Sequence, residues 1–177
     1  MYNIFAQGVG FLAMLFCIGS YQLKSGKMLI MCKALGDSIY VLHYLLLGAY
    51  SGCATVAVCA LNGLVCSGRG SRWADWKGWK WFFSALLLLA SLIAWHKSFT
   101  LIPDVCSFIS IMAVIWTTWS GDARIIRVSK LAVAGPTFLI YGLYAHSYAG
   151  VLCEVIGMTS AAISIFRYGL KRTEDDL

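Results

Sequence analysis

Charge is scarce in this chain. Only 12% of its 177 residues are Asp, Glu, Lys or Arg, and there are two prolines and three histidines. Soluble domains carry about 25% charged residues, so an ordinary soluble fold is excluded. His43, His96 and His146 fall on separate segments without HExxH or other metal-ligand spacing. No Cys-x-x-Cys pair, Gly-x-Ser-x-Gly turn or phosphate-cradling glycine loop occurs. Zinc, nucleophile-elbow and nucleotide chemistry therefore leave no signature, and the expectation is a non-enzyme with no metal and no cofactor. The last apolar segment has no lysine at depth for a Schiff base. Seven cysteines (Cys17, Cys32, Cys53, Cys59, Cys66, Cys106 and Cys153) are odd in number and dispersed, which reads as small packing residues rather than a disulfide framework.

What is abundant is apolar surface: 60% of residues, with a mean hydropathy of +0.76. Seven apolar segments run at about 4–22, 28–50, 52–68, 79–96, 100–119, 126–146 and 148–167. A bilayer core of roughly 30 Å needs about 20 such residues per helical crossing, so seven spans are predicted, the third being short. Helices are the only choice, because seven spans of this length cannot close a barrel. Trp79 and Trp81 at one end of the fourth segment and Trp95 at the other mark two interfaces.

The basic residues orient the chain. Lys24, Lys27, Lys33, Arg69, Arg72, Lys77, Lys80, Arg124, Arg127, Lys130, Arg167, Lys171 and Arg172 fall on one side, and only Lys97 on the other. Cytoplasmic borders retain Lys and Arg, so the N-terminus is expected outside and the C-terminus inside. The first segment has its positive charges after the apolar run, as an uncleaved first span does and a removed leader does not. The net charge of +6 sits at membrane borders and is matched by lipid headgroups, so no nucleic acid is expected. The tail from Arg167 to Leu177 reads as a short frayed end.

A shift of 98 residues places Leu45 on Leu143, Tyr50 on Tyr148, Gly52 on Gly150, Arg69 on Arg167 and Tyr40 on Phe138. One gap-free offset also superposes segments 1–3 on segments 5–7. Both Lys24/Lys27 and Arg124/Arg127 lie inside, so the units are parallel, and the fourth segment restores direction between them. The predicted fold is an all-α membrane protein of seven helices in a single domain, 1–177, with a 3+1+3 parallel repeat. Repeat 1 is about 4–69, the linker helix about 79–96 and repeat 2 about 100–167.

This architecture resembles the sugar-facilitator (SWEET) and PQ-loop superfamily, and particular strings resemble the YgjV family of bacterial inner-membrane proteins. Those strings are Gln7-Gly8-Val9-Gly10, His43-Tyr44-Leu45-Leu46-Leu47-Gly48, Asn62, Leu101-Ile102-Pro103, Trp116, and Ser147, Gly150, Glu154 and Arg167. The resemblance implies a multi-pass protein of the bacterial inner membrane and, by superfamily analogy, transport. The chain departs from the superfamily in having no Pro-Gln dipeptide, and the repeat mate of Asn62 is Ser160.

Polar residues at depth nominate a site. Asp37 lies near the midplane of segment 2, where an ionised carboxylate costs about 2.5–3.5 kcal/mol and must face the bundle interior. The sequence count sets no Lys or Arg at its depth, so a protonated or hydroxyl-satisfied carboxyl is expected. Thr55, Cys59, Asn62 and Cys66 share one helix face, as do Cys153, Gly157, Ser160 and Ser164. Such faces serve close helix approach or a cavity lining. Gly36, Tyr40, His43 and Leu47 form a stripe beside Asp37 and Tyr44; His43 reads as a tyrosine-paired structural residue or a proton relay. Glu154, Asp104, His146 and Gln7 are candidates for an outer vestibule, with Asp104 alternatively a solvated helix-start acid. Pro136 should kink its helix.

The expected function is a small-solute transporter or facilitator with a midplane substrate site formed by Asp37, Tyr40, His43, Asn62, Ser160 and Glu154. The alternatives are a non-catalytic membrane assembly or anchoring protein, and a cation channel with Asp37 and Glu154 in its path. Expected partners are the lipid bilayer, an unknown small polar solute and, in a homo-oligomer, further copies of the chain.

Overall fold

Backbone polarity dictates the architecture. In hydrocarbon every N–H and C=O needs an internal partner, which a helix supplies within one segment. The computed structural model describes residues 2–97 and 99–168. Its helices are α1 (Tyr2–Ser20), α2 (Gly26–Leu46), α3 (Tyr50–Ser67), α4 (Trp79–Lys97), α5 (Leu101–Thr118), α6 (Ala123–Tyr144) and α7 (Tyr148–Tyr168). No strand occurs among the described residues. Helices α2 to α7 are long and apolar enough to cross a membrane, and α1 adds a shorter apolar stretch, Ile4–Ser20. Each apolar segment of the sequence becomes one helix. The expected frayed tail lies, beyond residue 168, outside the described residues.

Within the first half, α2 packs against both α1 and α3; within the second, α6 packs against both α5 and α7. The halves meet through α1–α7 and α3–α5, and α4 packs on α3 and α5. Glycine sets the closest approach. A Cβ on Gly36 would stand 2.5 Å from Cys17 Sγ and 3.1 Å from the α1 backbone, and one on Gly63 would stand 2.7 Å from Ala34 Cβ. Small residues at such crossings let helices approach where lipid supplies no hydrophobic drive.

Two tight turns share one design. After α2, Gly48 adopts φ +71°, its N–H donates to Leu45 O, and Ala49 N–H donates to Tyr44 O. After the α6 helix, His146 adopts φ +50°, its N–H donates to Leu143 O, and Ser147 N–H donates to Gly142 O. Both are left-handed C-caps that satisfy the last helical carbonyls. Glycine takes that conformation without strain; histidine does so at a small cost.

The kink expected at Pro136 takes the form of a π-helical turn. Lys130–Ala134 is π-helical between regular segments Ala123–Ser129 and Gly135–Tyr144, with Gly135 N–H donating to Lys130 O. Proline donates no hydrogen bond and crowds the preceding turn, and one wide turn absorbs both defects. Hydroxyls cover carbonyls there: Ser110 Oγ donates to Ala134 O at 2.8 Å, and Thr137 Oγ1 to Val133 O at 2.7 Å.

Candidate functional site: two ion pairs in one cavity

Four charged side chains reach the centre of the bundle. Lys33 and Asp37, one turn apart on α2, pair at 2.6 Å. Lys130, at the first residue of the π turn, pairs at 2.6 Å with Glu154 of α7. Both pairs line one cavity of about 50 Å³, whose wall also holds Tyr40, Tyr44, Cys153 and the apolar Val56, Ile111 and Phe138. Asp37 and Glu154 are 8% and 7% exposed, so each carboxylate depends on its lysine rather than on water.

This corrects two expectations. Asp37 has a cation at its depth, because one helical turn is about 5.4 Å and a lysine side chain spans that distance. Glu154 belongs to no outer vestibule; it points into the central cavity. The thiols are more than packing residues as well. Cys59 Sγ donates to Asp37 Oδ2 at 3.2 Å and Cys17 Sγ lies 3.8 Å from Asp37 Oδ1, so weak donors complete the carboxylate's shell. Gly157 makes room for the second pair: a Cβ there would press Lys130 Cε at 3.2 Å.

Of the other nominated residues, Tyr40 lines the cavity and donates its hydroxyl to Ala149 O at 3.3 Å. Asn62 lines a smaller adjoining space of about 10 Å³ together with Lys33, Asp37 and Cys59. Its Oδ1 accepts Trp119 Nε1–H at 2.7 Å, which fixes the amide orientation and leaves Nδ2 without a partner. That space holds about one water. His43 and Ser160 lie apart from the cavity. His43 Nδ1 lies 2.7 Å from Ala6 O and Nε2 2.7 Å from Ser147 Oγ, tying α2 to α1 and to the turn before α7. A carbonyl only accepts, so Nδ1 carries the proton and Nε2 takes the serine hydrogen. Ser160 Oγ accepts Gln22 Nε2–H at 2.7 Å, just past the end of α1.

Hydrogen bonds tie the helices together on both sides of the cavity. At the end of the α2–α3 and α6–α7 turns, the His43 bridge is joined by Tyr141, whose hydroxyl accepts Gly52 N–H at 2.6 Å. Gln7 spans His146 O and Ala149 N–H beside it. At the opposite end, Ser164 Oγ donates to Tyr21 O at 2.7 Å, Arg127 to Leu23 O at 2.9 Å and Arg69 to Trp119 O at 3.1 Å. Asp104 and His146 line a separate pocket of about 380 Å³ with Tyr141 and Tyr144. Asp104 does start its helix, accepting Thr100 N–H at 2.7 Å, but it is 3% exposed rather than solvated.

The sequence reading missed Lys33 and Lys130 as site residues and Trp119 as the partner of Asn62. The spacing of Lys33 and Asp37 at i, i+4 was the available signal for the first; Lys130 and Glu154 are joined only by tertiary packing.

A family model described as bacterial inner membrane protein, Imp-YgjV, matches residues 4–172. No curated protein and no solved structure matches the chain.

Proposed function

The chain belongs to the Imp-YgjV family of bacterial inner membrane proteins, and from that premise we propose that it is a small-solute transporter or facilitator. The observation that carries this reading is the cavity holding the buried Lys33, Asp37, Lys130 and Glu154 between the two halves of the chain. A protein that only anchors partners gains nothing from four buried charges around a void, since an apolar core is as stable or more so. The cation-channel alternative is weakened, because a lysine offsets each carboxylate that would attract the ion.

Alternating access would follow from a 3+1+3 parallel repeat of the kind seen in SWEET-like folds. Exchanging α1–α3 for α5–α7 turns the α1–α7 contact into the α5–α3 contact. The turns at Gly48 and His146 lie 98 residues apart and repeat hydrogen bond for hydrogen bond. Lys33 and Lys130 are 97 apart, whereas Tyr40 and Phe138 are 98 apart. The π turn between Lys130 and Ala134 accounts for that one extra residue, which makes the two lysines equivalent.

The orientation proposed is N-terminus outside and C-terminus cytoplasmic. Removing Lys33 and Lys130 from the border count leaves eleven basic residues inside against Lys97 outside, so the bias survives. Single cysteines placed at 50 and 146, both exposed at the turns, in a background without reactive thiols, are expected to react with an impermeant maleimide in intact cells. One at 75 should react only after lysis, and labelling of 75 from outside would refute the orientation.

Uptake into proteoliposomes tests the function. Asp37→Asn is expected to abolish uptake and Asn62→Ala to weaken substrate affinity, in protein that remains monodisperse and melts cooperatively. Wild-type uptake by both variants would move the site elsewhere.

A further inference from the structure

Lys33, Asp37, Lys130 and Glu154 are two cations and two anions, so the charge lining the cavity sums to zero. A ligand with net charge would add an uncompensated ion among buried groups, which is costly. A neutral hydroxyl ligand would have to open a 2.6 Å ion pair and offer a weaker, uncharged hydrogen bond in return. Only a ligand carrying both signs replaces like with like: its carboxylate takes an ammonium, its ammonium takes a carboxylate, and no charge is stranded.

A second observation points the same way. Tyr44 lines this cavity, and its fully buried hydroxyl, beside Ser147 Oγ, makes no well-formed hydrogen bond among the described residues. An unpaired buried hydroxyl costs about 1–3 kcal/mol, and a ligand carboxylate would relieve it. Size narrows the class. At about 10–15 Å³ per water by the same measure, a cavity of about 50 Å³ has room for roughly three to five heavy atoms. The apolar wall of Val56, Ile111 and Phe138 suits a hydrogen or a short aliphatic side chain.

We propose that the cavity binds a small zwitterion of the size of glycine, its carboxylate between Lys33 and Lys130 and beside Tyr44, its ammonium between Asp37 and Glu154. The proposal rests on the transport reading only in taking the cavity as a binding place, so binding and flux are measured separately.

Thermal unfolding and calorimetry of the purified protein, with glycine and alanine as probes, test the binding. Acetate, methylamine and glycerol supply the single-charge and neutral controls. Glycine should raise the melting temperature in a concentration-dependent way, alanine, one heavy atom larger, no more than glycine, and the three controls should not. Tyr44→Phe should melt no lower than wild type without ligand, since it deletes an unpaired hydroxyl, yet lose about tenfold or more in affinity, as expected for one charge-assisted hydrogen bond. Stabilisation by glycerol but not by either zwitterion, or no stabilisation by any probe, would overturn the proposal. So would unchanged zwitterion affinity in Tyr44→Phe. Zwitterion binding without uptake into proteoliposomes would uphold the proposal and overturn transport.

Discussion

Lys130→Met is expected to remove about 3–5 kcal/mol of folding stability, the usual cost of stripping one partner from a buried ion pair. Among the described residues Glu154 has no other ion-pair partner at 4 Å or less, and its side chain is 9% exposed. Desolvation then falls on an isolated carboxylate. The double variant Lys130→Met/Glu154→Gln should recover most of the loss, because the stranded charge goes with the lysine. Lys33→Met should cost less, since Asp37 keeps the Cys17 and Cys59 thiols as donors. Melting temperatures of the four proteins in one detergent check this ordering. Equal stability for Lys130→Met and wild type would mean that the pair is not formed in the folded protein.

Gly36→Leu is expected to be strongly disruptive. Its first added carbon would overlap Cys17 Sγ at 2.5 Å and crowd the backbone of Ala13 and Cys17 at 3.1 Å. A side chain can rotate away from such a contact, whereas a helix backbone must translate, opening the α1–α2 crossing along its length. Overpacking typically costs about 1–3 kcal/mol, and separation of two helices lies at or above the upper end. Gly8→Ala is the control. Nothing stands within 4 Å of its added carbon, and replacing a helical glycine gains about 0.5–1 kcal/mol. Membrane yield and melting temperature should fall steeply for the first and hold for the second.

Helix number and class were legible because hydropathy over about 20 residues is a sum that single positions do not upset. The positions of Lys33 and Lys130 were not, because a border count treats each lysine as lying where its Cα lies. Both ammonium groups instead reach a carboxylate, one on the next turn and one on another helix. Pro136 announced a distortion but not its form. Whether a helix bends or inserts a π turn is decided by neighbours such as Ser110, whose hydroxyl takes the carbonyl of Ala134. Asp37, Tyr40 and Glu154 meet at one cavity, while Ser160, equally polar and on an equally small-residue face, is drawn to Gln22. Helix periodicity gives the face a residue shares, not the level at which a partner waits.

The pairing of two lysines with two carboxylates also bears on energetics across the membrane. Moving one elementary charge through 100 mV changes the free energy by about 2.3 kcal/mol. A cluster of Lys33, Asp37, Lys130 and Glu154 that shifts as a unit carries no net charge through that field. If the protein transports as proposed, its empty form would change the side to which the cavity opens without the resting voltage pulling it either way, and a zwitterionic cargo would leave that balance intact. Direction of net flux would then be set by solute concentration alone.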